Sequence, residues 1–128
     1  MSYKEFTEMP VWQKAFEMLI GVYKIIWVFP KEEKYGIVSN ARRAANSVTN
    51  NLAEGFGRYE KRDKTRFYKI GRSSCYELIN QFMVSQHLGY VKEKHKEIII
   101  SGYRDIITSL DQKIKTIDTG SRKKRYPP

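Results

Sequence analysis

Apolar residues recur at helical spacing along almost the whole 128-residue chain, and no stretch alternates strictly between apolar and polar as a half-buried strand would. That pattern restricts the fold class to all-α. The first segment runs from about Pro10 to Val28, with Pro10 where a first-turn proline is tolerated and Pro30 as the stop. Its apolar stripe is Trp12, Phe16, Leu19, Tyr23 and Ile26. The second runs from about Gly36 to Glu54, with Ile37, Ala41, Ala44, Val48 and Leu52 inward and Gly55 and Gly57 as terminators. The third starts after Asp63 as its N-cap, carries Phe67, Ile70, Ser74, Leu78, Phe82, Ser85 and Leu88 on one face, and stops at Gly89. The fourth starts near Lys92, shows Ile99, Tyr103, Ile106, Leu110, Ile114 and Ile117, and ends at Gly120.

Short connections between four amphipathic helices predict an antiparallel up-down-up-down four-helix bundle over residues 1–118. Residues 119–128 have no apolar face and are expected to be a basic, disordered C-terminal tail. With 41% hydrophobic residues the chain can supply a core. The first helix carries more apolar surface than one seam uses, because Met18, Ile25 and Val28 lie behind its stripe. Ile98, Ile99 and Ile100 in succession cannot all enter one core, and the small residues of the second helix would let another helix approach closely. Burial between identical subunits is the expected outcome, since large exposed apolar patches are uncommon on monomers.

Several chemistries are excluded by residue type and spacing. One cysteine, Cys75, cannot form an intramolecular disulfide, and two histidines without a Cys/His cluster make no structural zinc site. A di-iron bundle needs Glu three residues before His on each of two helices, and Val84 and Lys92 stand there instead. A helical ribonuclease with Arg shortly before His would need the arginine at positions 81 to 83, which hold Gln81, Phe82 and Met83. Cys75 in mid-helix has no nearby His base and reads as a small packed hydrophobe. The glycines after Glu54 lack the Lys-Ser/Thr of a phosphate loop. No metal, cofactor or catalytic residue is expected, and the chain reads as a non-enzyme.

Arg42, Arg43, Asn46, Asn50, Asn51 and Glu54 form the most polar stretch of the second helix, and Arg43, Asn50 and Glu54 fall within about 40° on its wheel. They are read as a structural polar network reaching Glu77 on the third helix or a neighbouring subunit.

The net charge of +10 is unevenly placed. Arg58, Lys61, Arg62, Lys64, Arg66, Lys69 and Arg72 against Glu60 and Asp63 give +5, and Arg122, Lys123, Lys124 and Arg125 add +4. Basic side chains in the first turn of a helix oppose its macrodipole but make a ready phosphate site. Tyr59, Tyr68 and Tyr76 stand among these cations as candidate stacking platforms, with Tyr126 beside the tail. Cations with interleaved aromatics suit RNA or another single strand, and no helix-turn-helix reader is evident. No segment is apolar enough to span a membrane, so a cytoplasmic protein is expected.

The chain also resembles the four-helix-bundle family encoded in bacterial 23S rRNA intervening sequences. The matching pieces are Val11-Trp-Gln-Lys-Ala, Phe29-Pro with Glu33 and Tyr35-Gly36, Arg42-Arg-Ala-Ala-Asn-Ser-Val, and Asn51-Leu-Ala-Glu-Gly-Phe-Gly-Arg. Asp63 with Arg66-Phe67, Glu77-Leu78 and Leu88-Gly-Tyr follow in family order. The resemblance implies a ring-like homopentamer with no established enzymatic activity. The family is similar in fold to the accessory variability protein of diversity-generating retroelements, a basic pentamer that binds nucleic acid and a reverse transcriptase. Two functions follow as expectations: a homo-oligomeric nucleic-acid-binding bundle, or a scaffold docking a reverse transcriptase or other polymerase.

Overall fold

A computed structural model of the chain describes residues 2–125, with side chains described through Gly120. A 3-10 turn at Phe6–Glu8 leads into α1 (Pro10–Ile26). A second such turn at Lys31–Glu33 leads into α2 (Ile37–Gly57), and α3 (Lys61–His87) and α4 (Glu93–Arg125) follow. Among the described residues there is no strand. Each helix packs on its chain neighbours, α1 also packs on α4, and α1 and α3 lie diagonally across the bundle. This is the expected antiparallel up-down-up-down arrangement.

The α2–α3 contact is the most extensive, and small side chains make it so. Ala41, Ala44 and Ala45 are fully buried along α2, beside Val48 and Leu52. On α3, Gly71 lies against the Val48 carbonyl and Asn51, and Ser74 shares a 2.8 Å hydroxyl hydrogen bond with Ser47. Gly55 is a close-packing residue and does not end α2: a Cβ on it would stand 2.6 Å from Cε1 of Tyr68. Gly57 is the last residue of α2, with Arg58 extended after it. The sequence pattern ended this helix at Glu54, because glycine is common at helix ends and its packing role has no local signature.

Three other expectations are corrected. The α3 helix begins at Lys61, with Glu60 as the extended N-cap residue and Asp63 inside the first turn. In α4 the helix continues through Gly120 to Arg125. The α1 stripe is rotated: Ala15, Met18, Val22 and Ile26 are buried, whereas Phe16 and Tyr23 are exposed. Met18 therefore fills the protomer's own core, where Gly102 on α4 makes room for it, and is not left for a neighbour. The inward faces of α2 and α4 match their patterns, with Ile99, Tyr103, Ile106 and Leu110 buried and Ile98 turned out. On α3 the stripe holds from Ser74 to Ser85, but Ile70 and Leu88 are exposed.

One end of the bundle is locked by polar contacts between its two loops. The Glu33 carboxylate accepts the Ile37 N–H at the start of α2 (3.3 Å) and the Tyr90 hydroxyl from the α3–α4 loop (3.0 Å). Phe29 and Tyr90 pack ring to ring with centroids 5.5 Å apart. Gly89 alone among the described residues has a positive φ, of 82°, which lets the chain reverse after α3.

The two neighbouring glycines of α2 should respond oppositely to alanine. Gly55→Ala forces a methyl into the Tyr68 ring and is expected to cost about 1–3 kcal/mol. Gly57, with nothing within 4 Å of its Cβ position, should gain a few tenths of a kcal/mol, at most about 1. Urea unfolding of the two variants checks both signs.

Candidate nucleic-acid interface

The basic residues of the α2–α3 turn and the first half of α3 separate into two groups by what they touch. Arg58 pairs with Glu54 at 3.3 Å, one turn back along the chain. Arg72 donates from Nε to Asp111 on α4 at 2.6 Å, and this contact holds its guanidinium above the ordinary arginine range. Lys64 turns inward, and its Nζ donates to the carbonyl oxygens of Gly55 (3.2 Å) and Phe56 (2.8 Å) in the last turn of α2, the first of which also accepts the Arg58 N–H at 3.4 Å. Burial lowers the Lys64 pKa, and Lys113 on α4 is lowered by burial and by the nearby Lys64 charge. Arg72 and Lys64 tie α3 to other helices, whereas Arg58 pairs with its neighbour one turn back, so these three cations all have polar partners within the protomer.

Arg62, Arg66 and Lys69 differ. All three are exposed, and none is in an ion pair among the described residues. With Asp63, Thr65, Ile70 and Ser73 they line an open groove of about 620 Å³ on the outer face of α3. Arg58 and Arg66 both lie over the Phe67 ring, at 4.7 and 4.4 Å from its centroid. Lys61 opens the same helix and is half-buried.

The three tyrosines have different fates. Tyr59, in the turn, is 98% exposed. Tyr76 is exposed, with the Arg72 guanidinium 5.3 Å from its ring centre. Tyr68 is only 2% exposed, wedged against Gly55, and burial pushes its hydroxyl up to about 12. It is a core residue, so the expectation that it stacks on bases is withdrawn. Its place in the helix follows from the small residue opposite it, which a single-helix wheel does not reveal.

The expected polar network of α2 is present only in part, since Glu54 pairs with Arg58 and Asn50 makes no side-chain hydrogen bond among the described residues. Arg43 pairs with Glu77 across to α3, Asn46 donates to the Tyr23 hydroxyl on α1 (2.8 Å), and Arg42 lies over the Tyr23 ring at 5.7 Å. Asn51 donates to the Ser47 carbonyl at 2.8 Å, while Asn50 faces solvent beside Glu54. Cys75 is fully buried, and burial lifts its thiol to about 12. No group of His, Cys, Asp or Glu among the described residues is placed to hold a metal. No helix among them is long and apolar enough to cross a membrane.

The expectations placed on Arg122, Lys123, Lys124, Arg125 and Tyr126 lie outside the residues whose side chains are described. The antiparallel register does bear on where α4 leads. Arg72 meets Asp111, so at equal rise the eleven residues from Arg72 back to Lys61 correspond to the chain from Asp111 to about position 122. The last turns of α4 thus lie at the end of the bundle where α3 begins.

Residues 7–112 match the family described as 23S rRNA-intervening sequence protein. The chain belongs to that family. A solved structure of a protein of unknown function from the S23 ribosomal protein family of Bacteroides thetaiotaomicron is similar in fold, with a TM-score of 0.74 at 18% identity. The alignment covers 82% of this chain and 98% of that one. No curated protein matches the sequence.

The two classes of cation are separable by mutation. Lys64→Ala should lower stability by about 1–2 kcal/mol, because the Phe56 carbonyl loses its donor and the Gly55 carbonyl keeps only the long Arg58 N–H contact. Arg66→Ala should change it by less than about 0.5 kcal/mol. Thermal unfolding measured by circular dichroism distinguishes them.

Proposed function

We propose that this family member is a non-catalytic, homo-oligomeric bundle that binds single-stranded nucleic acid, RNA foremost, along the outer face of the first half of α3. The observation that carries the reading is the set of three unpaired cations, Arg62, Arg66 and Lys69, lining one groove while neighbouring cations are occupied. Phosphates take the place of the missing acidic partners, and the exposed Tyr59 ring offers a face to an unstacked base. The direction of α4 supports a second basic segment at the same end.

Assembly into a ring is supported by where the leftover apolar surface lies. Phe16, Ile20, Tyr23 and Trp27 recur on one side of α1, with Trp27 87% exposed, and Ile98 of α4 adjoins Phe16 and Ile20 across a cleft. Met83, Val84 and Leu88 are exposed on the last turns of α3. These two faces belong to diagonal helices and lie toward the same end of the bundle. A face pairing with a different face on the next copy makes a head-to-tail contact, which closes into a ring when the rotation permits. Five copies is the number the family resemblance implies. In such a ring the basic half of α3 stays free, and its charge repeats around the assembly.

A second reading, a scaffold for a polymerase-type protein, is favoured by the same exposed aromatic face of α1. Retention of a protein partner after thorough nuclease digestion would support it, and loss of the partner would support tethering through nucleic acid.

Two measurements test the main reading. Fluorescence anisotropy with a labelled single-stranded oligonucleotide should show affinity falling steeply with salt. Replacing Arg62, Arg66 and Lys69 with Ala should flatten the slope of log K against log salt by about 2, from three lost phosphate contacts at about 0.7 each. An unchanged slope would sink the proposal. Light scattering should give about five times the mass of one chain, and Ile20→Glu or Met83→Glu should each break the ring. Mixing those two variants should restore only a two-chain species, because one complementary pair of faces remains; a monomeric wild type would refute ring assembly.

A further inference from the structure

The α2–α3 turn carries groups that phosphate binding does not call for. A cleft of about 810 Å³ opens there, a volume typical of small-ligand sites, which span about 300–1,000 Å³. Ala53 and Gly57 leave the space, Asn50, Glu60, Asp63 and the Glu54–Arg58 pair supply polar walls, and the exposed Tyr59 also lines it. Asp63 also lines the basic groove, so the two depressions are contiguous. Glu54 is engaged by Arg58, whereas the Glu60 and Asp63 carboxylates make no hydrogen bond or ion pair among the described residues. With Arg58 taken up by Glu54, the two unpaired carboxylates disfavour a phosphate in this part of the depression. What suits it is a neutral group rich in donors, attached to the chain whose phosphates lie next door.

We infer that the cleft receives a guanine base splayed from an RNA strand whose backbone follows Arg62, Arg66 and Lys69. The inference rests on the proposed RNA binding and adds base selectivity to it. Guanine is the one common base whose pairing edge presents two adjacent donors, N1–H and the 2-amino group, and a carboxylate accepts both at once. Uracil presents a single N–H flanked by two carbonyl oxygens, which a carboxylate repels. Adenine and cytosine each place one amino group beside an acceptor nitrogen. Single-stranded RNA is read this way in general, with bases unstacked onto aromatic rings and hydrogen-bonded on their pairing edges. Here Tyr59 is the ring, Asp63 and Glu60 are the acceptors, and Asn50 can bond the remaining edge.

The test compares three short RNAs by anisotropy competition: oligouridine, the same strand with every third base guanine, and the same strand with every third base hypoxanthine, which lacks the 2-amino group. The guanine strand should bind about tenfold more tightly than oligouridine, the size of one good bidentate base contact, with the hypoxanthine strand between them. In the Glu60→Gln, Asp63→Asn double variant the preference should fall to within about twofold, while oligouridine binds as well as before or better, since the cations remain. Equal, salt-sensitive binding of all three strands by the wild type would overturn the base selectivity and leave RNA binding standing. No binding of any strand would overturn both. If the two carboxylates serve only the positive end of α3, the double variant will melt earlier with its guanine preference intact, which also overturns the inference.

Discussion

The close approach of α2 and α3 is the constraint on which the rest of the molecule depends. Glycines at 55 and 71, with serines at 47 and 74, remove the side-chain bulk that would hold the two helices apart. At that separation Tyr68 fits against Gly55, Ser47 meets Ser74, and Arg43 reaches Glu77. Each of these contacts fixes the rotation of α3 about its axis. Once Tyr68, Gly71 and Ser74 face inward, Arg62, Arg66 and Lys69 have no course but outward. The basic groove is thus a consequence of small-residue packing on the opposite side of the same helix.

The second end of the bundle obeys a different rule. There Glu33, Tyr90 and Phe29 join the two loops through a hydrogen-bonded carboxylate and a ring contact. This fixes the entry to α2 and to α4 together, and it leaves the outer sides of α1 and α3 near that end uncovered. Exposed apolar side chains such as Trp27, Met83 and Leu88 gather toward the end where the loops are tied, and the groove cations Arg62, Arg66 and Lys69 lie where α3 begins.

Much of this was legible in the sequence. The buried stripes of α2 and α4 matched because each has one apolar face and little competition from the others. The α1 stripe was misplaced because Trp12, Phe16 and Tyr23 are large and attract the assignment, whereas the true core positions Ala15, Met18 and Val22 are modest in size. Gly55 and Tyr68 were missed together, since each explains the other and they lie thirteen positions apart. Among the cations, their location along the chain was readable, but not which ones were occupied. Lys64 and Arg72 are assigned by carbonyls and a carboxylate on other helices, a fact that exists only in the folded chain.

The position of Arg62 is costly for an isolated bundle. The first turn of a helix favours negative charge, by roughly 0.3–1 kcal/mol per residue at the surface, and this side chain carries the opposite sign. Glu60 and Asp63 offset the field in part, yet neither pairs with the arginines. Nothing in the packing requires a cation at 62, 66 or 69: the side chains are exposed, and removing them would leave no buried group unsatisfied. Lys64, four residues from Tyr68, shows how the same helix uses a basic residue when the fold needs one, by turning it onto two carbonyls. Local choices that work against stability without a structural return are expected at functional sites. On α3 Arg62, Arg66 and Lys69 fall within about two turns, on one face, beside an exposed ring and a carboxylate-lined cleft, and this exposed charge without an ion-pair partner among the described residues is the physical basis of the proposed anion binding.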